Sequence, residues 1–271
     1  MTYPLPGPQL PWPAQRRPLS VLAFGNSVAS LMMPMREDRA QGTYVEVLAD
    51  ILSGEGVPTV AHQASRWFDF LHHAMDDYET RVRAHSPDVV IVQFGLNEYQ
   101  PWLLPIWLLR ILMVHNQAST RTAKAFRRYV APRLWRTVRN YRRHAAKVVG
   151  MRTWQTTPYR FAGHLRRLLR NLRVDGRPLV LVLDIDCPDP RLEYFLPGMR
   201  ARRDVFQALL ERVVEEQADT HCRLVRVSEV TAALGEGALA DGMHYSASTH
   251  HAVGEHLAQE VLRWLRERGL T

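Results

Sequence analysis

The feature that most constrains this chain is the run Val89-Val90-Ile91-Val92-Gln93-Phe94. A β-branched run without polar alternation fits a strand buried on both faces, the environment of a parallel sheet covered by helices. The run ends in Gly95-Leu96-Asn97-Glu98, so the strand delivers polar groups at its C-terminal end. Leu179-Val180-Leu181-Val182-Leu183 repeats the pattern and stops at Asp184 and Asp186, before the breaker Cys187-Pro188-Asp189-Pro190. Leu19 to Phe24 is a third apolar run, entering a tight turn at Gly25-Asn26-Ser27. Val57 to Ala61 and Leu224 to Val227 are weaker strand candidates.

Helical patterns lie between these runs. Thr43 with Glu46 three residues on forms a capping box for a helix through about Leu52. Apolar residues from Trp67 to Val82 recur at three- and four-residue steps, predicting one helix that ends before Ser86-Pro87. Further helices are expected at about 202–217 and 249–268. The alternation of strand and helix argues for a parallel α/β sheet covered on both faces.

At 271 residues with 46% hydrophobic content, the chain can fill one globular core. Six prolines among residues 1–18 read as an extended N-terminal tail. No secretory signal pattern is visible there, which makes the cytoplasm the expected compartment. Cys187 and Cys222 stand far apart without neighbouring ligand residues, so neither a disulfide framework nor a zinc site is expected, and both read as buried free thiols. His72-His73 and His250-His251 fit helix surfaces or caps better than a metal, so no metal ligands are assigned and no cofactor is implied.

Charge is unevenly distributed. Of 35 basic residues, 33 are arginine, and residues 99–174 hold 17 Arg or Lys and no Asp or Glu. Residues 119–148 and about 158–173 read as arginine-rich helices. They form a basic insertion suited to an anionic counterpart: a phosphate-bearing substrate, a coenzyme A thioester or an acidic carrier protein through residues 110–173, ahead of nucleic acid or an anionic membrane surface. The apolar stretch from Pro101 to Asn116 holds two prolines and Arg110 and is too short for a bilayer span. A lid over an acyl pocket and a helix buried against the basic segment are both open for it.

Serine-based acyl transfer needs a hydroxyl on a tight turn, an imidazole to take its proton, a carboxylate to orient the ring, and N–H donors for the oxyanion. Ser27 directly follows the first strand, and Asn97 follows the central one. Asp241-Gly242-Met243-His244 lies in a loop before the final helix. These blocks, in this order, resemble those of the SGNH (GDSL-type) hydrolases: Gly25-Asn26-Ser27 the nucleophile block, Gly95-Leu96-Asn97-Glu98 the Gly-x-Asn block, and Asp241-x-x-His244 the C-terminal block.

The resemblance implies a three-layer α/β/α flavodoxin-like sheet of about five strands in the order 2-1-3-4-5, with the ends of strands 1 and 3 side by side at the switch point. It divides the chain into a tail at 1–18, a catalytic body at 19–98 and 177–271, and a basic insertion at 99–176. Ser27 is implied as nucleophile, His244 as general base and acid, and Asp241 as the orienting carboxylate. The implied oxyanion donors are the Ser27 N–H, the Asn97 amide and a backbone N–H from the family's glycine block. That stretch, His62 to Trp67, contains no glycine, and the donor is placed at Ser65 with Ala64 and Arg66 as alternative registers.

Asn26 and Glu98, where the family usually or often has Asp, bear on turn hydrogen bonding and substrate contacts. With Arg66, Asp184 and Asp186 they are the candidate substrate-binding residues. For Asp184 and Asp186 a capping role is equally open. The implied function is cleavage of an ester or thioester of a small molecule through an acyl-serine. An acyltransferase on the same triad, or a non-catalytic module binding nucleic acid or membrane through the basic insertion, is the alternative.

Overall fold

The computed structural model describes residues 17–29, 42–66, 69–100, 156–217 and 220–270, together with 137, 141 and 144. The N-terminal tail, most of the basic insertion and the apolar stretch 101–116 lie outside the described residues.

Five strands, β1 (Leu19–Gly25), β2 (Thr59–Gln63), β3 (Val89–Gln93), β4 (Leu179–Leu183) and β5 (Cys222–Val225), form one parallel sheet in the order β2-β1-β3-β4-β5. Every residue of β1, β3 and β4 is buried, which is why they read as unbroken apolar runs. β2, at the sheet edge, is only partly buried, and its polar Thr59, His62 and Gln63 fit that place. The register sets Gly25 against Gln93, so the ends of β1 and β3 lie side by side.

The helices are α1 (Tyr44–Gly54), α2 (Leu71–Asp76), α3 (Tyr78–Arg81), α4 (Leu96–Tyr99), α5 (Pro158–Val174), α6 (Pro190–Phe195), α7 (Met199–Glu215), α8 (Val227–Leu234) and α9 (Ala247–Glu267). One layer contains α1, α8 and α9; the other is built around α2, α5 and α7. α1 starts where the capping box placed it, with the Thr43 N–H donating to Glu46 Oε2 at 2.6 Å. His250, buried on α9, accepts the Tyr44 N–H on Nδ1 at 3.3 Å and stacks on the Tyr44 ring. It therefore caps the neighbouring helix α1 rather than its own.

Two expectations about helices change. The single helix expected over 67–82 begins at Leu71 and is interrupted at Asp77. Residues 69 and 70 precede α2 outside any helix, and Asp69 pairs with Arg81. The second arginine-rich helix is α5, and its Phe161, Leu165, Leu168, Leu169 and Leu172 are all buried in the main core. The final part of the expected insertion is thus a structural layer of the α/β body, with arginines such as Arg166, paired to Glu216, on its outer face. Cys187 is exposed and Cys222 half-buried, which corrects the expectation of two buried thiols. Among the described residues no helix is long and apolar enough to cross a membrane, and no group of ligands could hold a metal ion.

Candidate active site

Ser27 opens a short 3-10 turn immediately after β1. The turn is tight because the Asn26 side chain accepts the Val28 N–H at 3.1 Å while the Asn26 N–H donates to the Gln93 carbonyl of β3 at 3.1 Å. Gly25 is required by this close approach: a Cβ there would sit 2.6 Å from the Gln93 carbonyl oxygen.

Asp241 and His244 come from the loop between α8 and α9. The Asp241 carboxylate closes that loop by accepting the N–H groups of Met243 at 3.0 Å and His244 at 2.8 Å. Its second oxygen lies 2.7 Å from His244 Nδ1, and His244 Nε2 lies 2.9 Å from Ser27 Oγ. Burial works to raise the Asp241 pKa, but the His244 ring and the two backbone N–H groups more than offset it, so the carboxylate sits below the usual aspartate value. A charged Asp241 on Nδ1 fixes the tautomer in which Nε2 faces the serine hydroxyl as an acceptor.

Asn97 is held in the first turn of α4, where its amide donates to the Asp69 carbonyl at 2.9 Å. Gly95, before it, has φ 127°, and a Cβ would meet Ile185 Cδ1 at 2.5 Å, so only glycine fits. Asp69 is itself fastened. Its carboxylate pairs with Arg81, both side chains being nearly fully buried, and the Arg81 guanidinium also donates to the Ala64 carbonyl and lies over the Phe24 ring at 5.0 Å. This pair was not anticipated. Its one trace in the sequence is an arginine on the same helical face as Tyr78 and Val82.

In the stretch expected to supply a further oxyanion donor, the N–H groups of Ala64 and Arg66 donate to the carbonyls of Ala23 and Gly25. That removes both alternative registers and leaves Ser65 as the N–H between them that this ladder does not use. The Arg66 side chain is exposed and paired with Asp77.

Glu98 is fully buried, and its two carboxylate oxygens accept the N–H groups of Leu71 at 2.7 Å and Gly95 at 2.9 Å. It pins the Asn97 turn to the start of α2, so it is not a substrate contact, which corrects that expectation. Burial pushes its pKa up to about 7 against the opposing pull of these N–H groups. The folded state therefore holds a proton that the unfolded chain releases at about 4.5, and the associated stability is fully present below that value and lost as pH rises through about 7. A shift of this size corresponds to on the order of 3 kcal/mol. Urea midpoints of the wild-type protein should fall between pH 5 and 7.5, and Glu98→Gln should flatten that slope.

Asp184 is buried and accepts the Ser228 N–H at 3.0 Å as well as the Ser228 hydroxyl, capping α8. Asp186 accepts the hydroxyls of Thr231 at 2.8 Å and Tyr245 at 2.6 Å. Tyr245 in turn accepts from the Gln93 amide, whose oxygen accepts the Tyr44 hydroxyl. Both aspartates border the cleft, and both carry a structural hydrogen-bond load.

The sheet order, with the Ser27–His244–Asp241 relay at its C-terminal edge, is the architecture of the SGNH fold. Solved structures with this fold include a lipase/acylhydrolase from Enterococcus faecalis, 14% identical, with TM-score 0.57 over 90% of this chain and 95% of that one. The acetylxylan esterase Axe2 from Geobacillus stearothermophilus is 16% identical, with TM-score 0.56 over 90% of this chain and 94% of its own. No protein-family profile and no curated protein matches the sequence.

Proposed function

We propose that the chain is a serine hydrolase that cleaves an ester or thioester of a small molecule through an acyl-Ser27 intermediate. The observation that carries this reading is the unbroken relay from Asp241 through His244 to Ser27 Oγ, with both hydrogen bonds under 3 Å. The esterases and lipases that share the fold support it.

In the first half-reaction Ser27 Oγ attacks the acyl carbon while His244 Nε2 takes its proton. His244 then returns that proton to the departing alcohol or thiol as the carbon–oxygen or carbon–sulfur bond breaks. Water, deprotonated by the same nitrogen, attacks the acyl-serine in the second half, and Ser27 leaves as its hydroxyl is restored. The oxyanion of each tetrahedral intermediate is assigned to the Ser27 N–H and the Asn97 amide, with the Ser65 N–H as the third donor. The Asp69 carbonyl, by holding the Asn97 amide, fixes the plane in which that donor lies. An acyltransferase would use the same groups with another acceptor in place of water.

The test is labelling of the folded protein with a fluorophosphonate probe, followed by mass spectrometry of the modified peptide. Label on Ser27 is expected, and it should fall to background in His244→Ala. Absence of label at Ser27, with a small unhindered probe, would sink the reading.

A further inference from the structure

A cavity of about 20 Å³, lined by Asn26 and Val28 on either side of Ser27 in the chain, opens at the ends of β1, β3 and β4. This is room for roughly one water-sized group. Its walls include Phe94, Tyr99, Ile185 and Met243, and four polar side chains, Asn26, Gln93, Asp184 and Asp186, border it. Gln93 is committed to Tyr44 and Tyr245, and Asp184 to Ser228. Asn26 is only 1% exposed, and its Nδ2 has no hydrogen-bond partner among the described residues. Its other amide atom, Oδ1, is spent on the Val28 N–H, which fixes the amide orientation and points the two N–H bonds away from the turn. A buried donor left unpaired is costly and rare, so its presence at the rim of a cavity calls for an acceptor from outside the chain.

Asp186 lies on the same cavity. Each of its carboxylate oxygens accepts one hydroxyl, from Thr231 and Tyr245, and a carboxylate oxygen has capacity for a second. The peptide segment that carries it is held in place. The Ile185 N–H donates to Gln207 Oε1 at 2.7 Å, and Arg203 Nε donates to the Ile185 carbonyl at 2.6 Å.

A hydroxyl group is the small function that both accepts from an amide N–H and donates to a carboxylate. We propose that this cavity is a subsite that reads one hydroxyl of the substrate beside Ser27, with Asn26 Nδ2 as donor and the Asp186 carboxylate as acceptor. The substrate class is then an ester with a hydroxyl close to the scissile bond: a hydroxyacyl ester or a partial ester of a polyol. This inference rests on the hydrolase reading only for its substrate; the subsite itself is defined by Asn26 and Asp186.

Asn26→Asp keeps the acceptor for the Val28 N–H and removes the donor, with folding checked by thermal unfolding. For wild type and variant, kcat/KM is measured on two matched pairs in which a hydroxyl replaces a methyl: p-nitrophenyl glycolate against propionate, and 2-hydroxyethyl against propyl acetate. The variant supplies the intrinsic reactivity difference within each pair. One pair should show a hydroxyl preference about 10–100-fold greater in wild type than in the variant. The acyl pair responding places the subsite on the acyl side, and the alcohol pair places it on the leaving-group side. Equal ratios in the two proteins for both pairs overturn the proposal.

A binding measurement separates this from failure of the hydrolase reading. In Ser27→Ala protein labelled with 15N, the Asn26 side-chain resonances should shift saturably with glycolamide and with ethylene glycol, or with one of them, and not with propionamide or propanol. That response without turnover of any ester would retain the subsite and reject the hydrolase. No response to either hydroxylated compound would reject the subsite, whatever the esterase assay gives.

Discussion

Ser27→Ala is expected to lower kcat on any ester the protein hydrolyses by roughly 10⁴–10⁶-fold, with little change in KM. In the proposed mechanism the serine oxygen is the atom that bonds to the acyl carbon, and Ser27 Oγ is the hydroxyl hydrogen-bonded to His244 Nε2. His244→Ala should produce a loss of similar size, because an unactivated hydroxyl is a poor nucleophile at neutral pH. Since the two groups act on one proton, the double variant should be about as impaired as either single one. Steady-state kinetics on the three proteins, with circular dichroism to confirm folding, decides the matter. Losses that multiply in the double variant would mean that Ser27 and His244 do not act as a unit.

Arg81→Ala is the second large effect, and it falls first on stability. The guanidinium is buried between the Asp69 carboxylate, the Ala64 carbonyl and the Phe24 ring, so its removal strands a carboxylate in the protein interior. Breaking such a pair on one side costs about 3–5 kcal/mol, read as a lower urea midpoint at unchanged slope. The double variant Arg81→Met/Asp69→Asn should recover much of that loss, because no unpaired charge is left behind. Activity provides a separate readout. Asp69 holds Asn97 through its backbone carbonyl, so on the proposed reading Arg81 is a positioning residue for an oxyanion donor at two removes. Under conditions where the Arg81→Ala protein remains folded, kcat should fall more than KM rises. An undisturbed kcat would confine Arg81 to a purely structural role.

How much of this was legible beforehand depended on whether a feature is local in the chain. β3 and β4 were readable because burial on both faces leaves no polar alternation, and Ser27, Asn97 and the Asp241–His244 loop were readable as polar groups placed at strand ends or just before a helix. The break at Asp77 in the expected helix over 67–82 was not, and neither was the buried pair that Asp69 and Arg81 form across 12 residues, because helical periodicity encodes neither. Glu98, at a position where the resembled family often has Asp, was read as bearing on turn hydrogen bonding or substrate contacts. Only the fold shows that its carboxylate is used by the backbone of α2 and of its own turn. His250 was read as exposed or capping from its place at the start of α9, yet the end it caps belongs to α1, a contact spanning 206 residues.

The relay joins Ser27 to His244 across 217 positions of sequence, with Asp241 and His244 both in the loop that leads into α9. During synthesis the nucleophile and its turn leave the ribosome long before the groups that activate it. A chain that stops short of residue 241 therefore lacks both partners of the relay. On the proposed reading, acylation at Ser27 waits until the sheet, the loop and the helix that seats the loop are all in place.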